Sequence, residues 1–256
     1  MMHDPDFVPP APVRVPEGRR PFPPAAVAAL AAIATLALPA SAASMSVSIK
    51  NDRSATAAVR VELPAELAAK LAQLRGDPEG SALPLVDPAL VRAGAAEKGV
   101  RVVEARALGE RGFSGVFEID DLMTFAARSL GAVTLSSTAA GGSLSVAIDR
   151  GNAAELFALF PGIDPYLVEA LSPPALDGSD LTRAEYREML GALLGTKSLP
   201  AVDAAAVELA VELPGAPLAS GTVGFVTTGR SAKASIKLLD LLVLERPITL
   251  KASWGK

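Results

Sequence analysis

The chain has 256 residues, of which 50% are apolar, 20% are charged and 4% are aromatic, and its formal net charge is -4 at pH 7. This composition is typical of a globular protein with one large domain or two small ones, and it excludes a disordered chain. It also argues against nucleic-acid binding, which relies on aromatic stacking and on a positive field along the phosphates.

The amino-terminal segment has the pattern of a signal peptide. Arg19 and Arg20 precede an apolar run over residues 25–38, and Ala40 and Ala42 occupy the small-residue positions of a signal peptidase site. The run is too short to cross a bilayer as a helix. The two arginines are compatible with both the general and the twin-arginine export routes. A buried core helix is the alternative interpretation of the run.

Cleavage after residue 42 would leave one exported domain, residues 43–256, in the periplasm or the medium. The removed segment contains His3, which is the single histidine, and the chain has no cysteine. The mature domain would therefore lack triads, dyads and metal sites built on imidazole or thiolate, so we expect neither a metal nor a cofactor. A lipid anchor is excluded as well, because lipidation requires a cysteine directly after the cleavage site.

Alternating apolar and polar residues predict β-hairpins in the first half of the mature chain. The strands of the first hairpin lie within residues 45–63 and those of the last within residues 133–148, and two further strands follow one another within residues 100–119. Helices are predicted to begin at Pro64, Asp87 and Asp121, where proline or an acidic cap can open a helix.

Residues 152–197 change character and predict a helical insertion. Apolar helices are separated by breaks at residues 161–162 and 172–174, and Thr182 and Glu185 form a capping box ahead of the last helix. Strand patterns then return, within residues 207–254. The predicted class is α+β: a largely antiparallel sheet of hairpin-linked strands with packed helices and this insertion.

One acidic cluster consists of Glu118, Asp120 and Asp121, at a strand-to-helix junction. Paired carboxylates can supply the acid and the base of a hydrolase, or can hold a divalent cation. The alternative is that the aspartates simply cap the helix, since its first turn favours negative charge.

A second cluster alternates serine and lysine along one predicted strand: Ser231, Lys233, Ser235 and Lys237. Serine beside lysine invites comparison with nucleophilic pairs. The same spacing places all four side chains on one face of the strand, opposite apolar neighbours, which is typical of a strand with one solvated face.

The most suggestive apolar group is Phe157, Phe160, Tyr166 and Leu167, within the helical insertion. If the insertion only packs on the sheet, these side chains belong to the core. If it covers an opening, they line a pocket for an acyl chain or a docking site for a partner.

Three segments carry a resemblance: residues 61–67 (VELPAEL), residues 238–242 (LLDLL) and residues 248–254 (ITLKASW). In their layout the chain resembles a family of uncharacterised exported proteins and lipoproteins of spirochaetes, and more distantly the LppM-like lipoprotein domain. The resemblance implies an α+β envelope domain without assigned catalytic residues. This chain differs from those lipoproteins because it lacks the lipidation cysteine, and from LppM-like proteins because it shows no carboxyl-terminal membrane helix.

These observations favour a soluble, exported, non-enzymatic protein that binds an apolar ligand, such as a lipid, or an envelope protein as its partner. The mature chain is expected to have no transmembrane span. Two alternatives stay open: a carboxylate-based hydrolase that uses Glu118, Asp120 and Asp121, and a purely structural envelope component.

Overall fold

The computed structural model describes residues 43–76, 84, 86–97, 99–127, 132–138, 140–154 and 165–255. The predicted signal peptide lies outside these ranges. Within them the chain forms eleven β-strands, eight α-helices and one short 3₁₀ helix, which confirms the α+β class.

The strands are β1 (Ala43–Ile49), β2 (Ala55–Glu62), β3 (Arg101–Ala107), β4 (Gly112–Ile119), β5 (Val133–Thr138), β6 (Gly141–Ile148), β7 (Ala206–Glu212), β8 (Pro217–Gly221), β9 (Phe225–Thr228), β10 (Ser231–Lys237) and β11 (Ile248–Gly255). The helices are α1 (Ala65–Arg75), α2 (Pro88–Glu97), α3 (Leu122–Ala127), α4 (Pro165–Leu171), α5 (Pro174–Asp177), α6 (Arg183–Leu194), α7 (Leu199–Ala204) and α8 (Leu238–Val243), and the 3₁₀ helix is Thr196–Ser198.

The described strands form two sheets, where the sequence pattern predicted one. The larger sheet has the order β3-β4-β2-β1-β7-β10-β9, and the smaller one has the order β5-β6-β11-β8. Neighbouring strands are antiparallel except for β1 and β7, which are parallel. Met45 of β1 therefore lies opposite Val59 of β2 on one side and opposite Leu209 of β7 on the other. This parallel pairing joins the two halves of the chain in one sheet.

The principal core lies between the two sheets. Alternate residues of β1, Met45, Val47 and Ile49, are buried with 3% of their surface exposed, whereas Ser46 between them is exposed. Strands β6 and β11 of the smaller sheet contribute their own alternate residues to the same core: Leu144, Val146, Ile148, Leu250, Ala252 and Trp254. The period of two that predicted the strands thus also determines which side chains are buried.

A second core lies among the helices. It combines apolar side chains of α1, α4, α6 and α8 with Leu63, Val202 and Ala205: Leu67, Leu71, Leu167, Leu171, Tyr186, Leu190, Leu239 and Leu242. Tyr186 is completely buried, and its hydroxyl donates a hydrogen bond to the carbonyl oxygen of Leu171 at 3.0 Å. Burial raises the pKa of Tyr186, so the phenol stays neutral.

Local signals mark the ends of the helices, and the predicted capping box is confirmed. Helix α1 ends at Gly76, whose φ of 78° lies in the left-handed region that glycine adopts without strain. Helix α6 begins with the predicted capping box, in which Thr182 and Glu185 exchange side-chain and backbone hydrogen bonds. Asp87 caps α2 by accepting the amide of Ala89 at 2.7 Å.

Two elements near the carboxyl end differ from the predicted pattern. The strand expected to reach Leu238 ends at Lys237, and Leu238 is instead the first residue of α8. Five of the six residues of α8 are buried. Its sequence is therefore almost continuously apolar and shows neither the period of two of a strand nor the period of a surface helix, by which it could have been predicted. Strand β8 was not predicted, because its apolar residues do not alternate with polar ones. Leu218 is apolar, yet it lies on the solvated side of the strand with 79% of its surface exposed.

Arg150 connects the end of β6 to the helical layer. Its guanidinium donates to three backbone carbonyl oxygens, those of Val243 at 3.0 Å, Ser179 at 2.9 Å and Leu181 at 3.2 Å. Ser179 and Leu181 belong to the loop before α6, and Val243 ends α8. The planar fork of arginine reaches the acceptors of both segments at once. Arg150 therefore fixes the position of these loops relative to the smaller sheet.

We predict that Arg150→Met lowers the free energy of unfolding by about 1 to 3 kcal/mol, because three partly buried carbonyl oxygens lose their donor. Urea unfolding of the two proteins measures the difference. Arg60→Met is the matched control, since Arg60 is half exposed and, among the described residues, forms its ion pair with the exposed side chain of Glu62 at 2.9 Å. The control should change stability by less than about 0.5 kcal/mol. Equal effects of the two substitutions would contradict the role assigned to Arg150.

Candidate functional site

The apolar group predicted as a ligand or partner site is only partly described. Phe157, Phe160 and the side chain of Tyr166 lie outside the described residues. Leu167 is 5% exposed and packs in the helical core. That these four residues bind a ligand or a partner stays a prediction.

The acidic cluster is divided between two different environments. Asp121 caps α3: its carboxylate accepts the amide of Met123 at 3.0 Å and the hydroxyl of Thr124 at 2.7 Å. The Thr124 hydroxyl first, and then the Met123 amide, lower the pKa of Asp121. Glu118 instead forms an ion pair with Arg101 on the solvated face of the larger sheet. The geometry of Asp121 is that of a helix cap.

The serine and lysine residues of β10 share one solvated face, as their spacing predicted. Ala232, Ala234 and Ile236 are buried on the other face. Ser235 donates a hydrogen bond from its hydroxyl to Glu208 of the adjacent β7 at 2.5 Å. A serine that donates to a carboxylate is paired across the sheet rather than with a neighbouring lysine.

An apolar crevice opens between the two sheets. Its volume is about 40 Å³, and apart from Lys251 all of its lining side chains are apolar. One wall is formed by the larger sheet and the other by the smaller: Met45, Val47, Leu209, Val211 and Ala232 on the first, and Leu144, Val146, Leu250 and Ala252 on the second. Phe225 of the edge strand β9, which is half-buried, completes the lining. We call this space the inter-sheet crevice.

A larger and more polar opening lies further along the same strands, at one end of the sandwich. It has a volume of about 520 Å³ and is lined by Ile49, Trp254 and Leu135 together with polar residues: Lys50, Asn51, Arg53, Ser137 and Thr138. We call it the terminal cleft. Ile49 follows Val47 by two residues on β1, and Trp254 follows Ala252 by two on β11, so successive side chains of the same strand face line the inter-sheet crevice and then the cleft.

Glycines allow the chain to approach Trp254. Gly142 of β6 lies opposite Trp254 of β11, and a Cβ atom at this position would lie 2.4 Å from the indole ring. A Cβ at Gly141 would lie 2.1 Å from the carbonyl oxygen of Trp254. The floor of the terminal cleft therefore depends on two residues without side chains.

Within the described ranges, no group of three or more histidine, cysteine, aspartate or glutamate residues is arranged to hold a metal ion. No helix there is long and apolar enough to cross a membrane.

Comparison with known proteins gives a distant structural likeness. No protein-family model and no curated protein matches the chain. A solved structure that it resembles is the folded domain of Mycobacterium tuberculosis LppM, determined by NMR, with a TM-score of 0.35 and 12% identity over 84% of this chain and 90% of that chain. The match is weak and assigns no property to this chain. The resemblance to exported proteins of spirochaetes stays a prediction.

We predict that Asp121→Ala lowers the free energy of unfolding by about 1 kcal/mol at pH 7, and that Asp121→Asn has a smaller effect because asparagine also caps helices. The pKa of Asp121 is lower in the folded protein than in the unfolded chain. The carboxylate therefore stabilises the fold fully at pH values above its ordinary pKa of about 3.9. This stabilisation is lost as the pH falls through the pKa of the folded state. Thermal unfolding at pH 7 and pH 3 should show the difference between wild type and Asp121→Ala shrinking in acid. Asp120→Ala, at the exposed neighbouring position, is the control and should change little. A difference independent of pH would count against the cap.

We predict that Gly142→Ala lowers the free energy of unfolding by about 1 to 3 kcal/mol, because the added methyl group overpacks the indole of Trp254. It should also shift the emission of Trp254, the single tryptophan in the chain. Gly224→Ala is the matched control, since nothing lies within 4 Å of its Cβ position. Thermal unfolding and fluorescence spectra test both variants, and an unchanged Gly142→Ala would show that the strands separate here without cost.

Proposed function

We propose that this protein is an exported, non-enzymatic binding protein that takes an apolar ligand into the inter-sheet crevice. The observation that carries the proposal is the crevice itself: an opening between two packed sheets whose lining is apolar apart from Lys251. Small-molecule sites are mostly apolar concavities with few polar groups. Burial of apolar surface favours binding by roughly 25 cal/mol per Å².

The size of the crevice determines how a ligand would enter it. Its volume of about 40 Å³ holds only a few atoms, so an acyl chain or a ring requires the sheets to separate locally. The adjacent edge favours such separation, because β9 has only four residues and, among the described strands, pairs with β10 alone. Phe225 lies on this strand and is half-buried. We propose that displacement of Phe225 with β9 opens the crevice.

The sequence supports the rest of the proposal. The signal-peptide pattern over residues 1–42 favours export to the periplasm or the medium. The domain after it has neither histidine nor cysteine, and Asp121 is engaged in a helix cap. An acyl lipid of the envelope is apolar, as the crevice is, and is present where an exported protein is located. An envelope protein as partner would instead bind at the edge strand β9 and leave the crevice unfilled.

We predict that the full chain binds N-phenyl-1-naphthylamine, a neutral apolar dye, and that Ala232→Leu weakens this binding by about tenfold, since filling the space removes the apolar contact. Ala252→Leu, on the opposite wall, should have the same effect. Val226→Leu adds the same kind of bulk on the exposed face of β9, where Val226 is 68% exposed, and should leave binding unchanged. Dye fluorescence gives the dissociation constants, and thermal unfolding verifies that the variants fold.

Native mass spectrometry of the purified protein tests for a natural ligand. A co-purifying lipid that is lost in Ala232→Leu and kept in Val226→Leu supports the proposal. A wild-type protein that binds no dye, or two wall variants that bind as wild type does, would leave the purely structural role as the better account.

A further inference from the structure

The terminal cleft has the size and chemistry of a separate site. Its volume of about 520 Å³ lies within the range of about 300–1,000 Å³ that small-molecule sites occupy. The turn between β1 and β2 contributes Lys50, Asn51 and Arg53, and the end of β5 contributes Ser137. All four side chains belong to exposed residues, and no carboxylate is among the described residues that line the cleft.

The two cations of the cleft form no salt bridge with any of the described residues. The pKa values of Asp52 and Asp121 are lowered mainly by hydrogen bonds from Ser54 and from Thr124, and to a smaller extent by the nearby Lys50 and Arg53, respectively. However, Asp52 accepts the amide of Ser54 at 2.9 Å and its hydroxyl at 2.7 Å, and Asp121 is engaged at the start of α3. Both carboxylates therefore have neutral donors of their own, and the ammonium and the guanidinium stay available.

Arg53 occupies a backbone position that favours glycine or asparagine. Its φ is 70°, and its amide donates to the carbonyl oxygen of Lys50 at 3.1 Å to close the turn. A long side chain in the left-handed region costs conformational free energy that asparagine or glycine avoids. Such strain points to a role for the side chain beyond the turn itself. The guanidinium is the part of Arg53 that asparagine could not replace.

We infer that the terminal cleft binds a compact anion, a phosphate or carboxylate group, between Lys50 and Arg53, with Trp254 below it. An arginine pairs with two oxygens of such a group at once, and a lysine adds a point charge. The Ser137 hydroxyl supplies a further donor at the rim. The inference goes beyond the proposed function, because the anion would bind whether or not the inter-sheet crevice holds a ligand.

The single tryptophan makes the site directly measurable. Inorganic phosphate, octyl phosphate and octanol are titrated separately into the full chain at low ionic strength, with the emission of Trp254 as the readout. Calorimetry repeats each titration, so that an unchanged emission does not conceal binding. Saturable binding of phosphate assigns the site to free anions, and saturable binding of octyl phosphate alone assigns it to the anionic end of an amphiphile. Binding should weaken as salt is added, since the two cations are exposed to solvent.

The variants separate this role from a structural one. Arg53→Asn should keep or raise the melting temperature, because asparagine adopts the left-handed backbone conformation of this position more readily than arginine does. It should nevertheless weaken anion binding by about tenfold, because a charge-assisted hydrogen-bonded pair is lost. Arg53→Lys should restore most of the affinity. Lys50→Gln should weaken binding similarly, and Lys233→Gln, on the solvated face of β10, removes the same charge at a distance and should change nothing.

Three results would overturn the inference. They are the absence of saturable binding of both phosphate and octyl phosphate, octanol binding as tightly as octyl phosphate, and Arg53→Asn binding the anion as well as wild type does. Binding of the neutral dye in the inter-sheet crevice should be the same in Arg53→Asn as in wild type. A loss of anion binding is therefore distinguishable from a failure of the crevice.

Discussion

The fold depends on the parallel pairing of β1 with β7. Strand β1 is central in the larger sheet, and its other neighbour, β2, follows it directly through a tight turn. The connection from β1 to β7 is long and contains the first strands of the smaller sheet and most of the helices. Parallel strands require such a crossover. Because β7 carries β10 and β9 with it, this one pairing gives the larger sheet a continuous apolar face, and the smaller sheet packs against that face.

Register determines the chemistry of both faces of the larger sheet. Met45 lies in a row with Val59 and Leu209 on the buried side, whereas Ser48 lies beside Glu212 on the solvated side and donates a hydrogen bond to it at 3.2 Å. A shift by one residue would turn the serines of β1 into the core and its apolar residues into water. The same rows extend into both openings, since Val47 lines the inter-sheet crevice and Ile49 the terminal cleft.

The two openings lie at the margins of the sandwich, where packing between the sheets ends. The inter-sheet crevice reaches the edge strand β9, and the terminal cleft lies where β1 turns into β2. The side chains considered as catalytic candidates form hydrogen bonds or ion pairs with neighbouring residues. Asp121 caps α3, Ser235 donates to Glu208, and Glu118 pairs with Arg101. An apolar space thus lies next to a cationic one between the same two sheets.

Patterns that depend on neighbouring residues were readable from the amino-acid order. The hairpin of β1 and β2, the cap at Asp121 and the capping box at Thr182 follow from alternation and from side-chain oxygens next to unpaired amides. The division into two sheets was not readable, because the pairing of β1 with β7 joins residues more than 150 positions apart, as Ser48 and Glu212 show. The same holds for the openings. Phe225 has the local pattern of any core residue and Lys50 that of any turn residue, and only the packing of distant strands leaves space beside them.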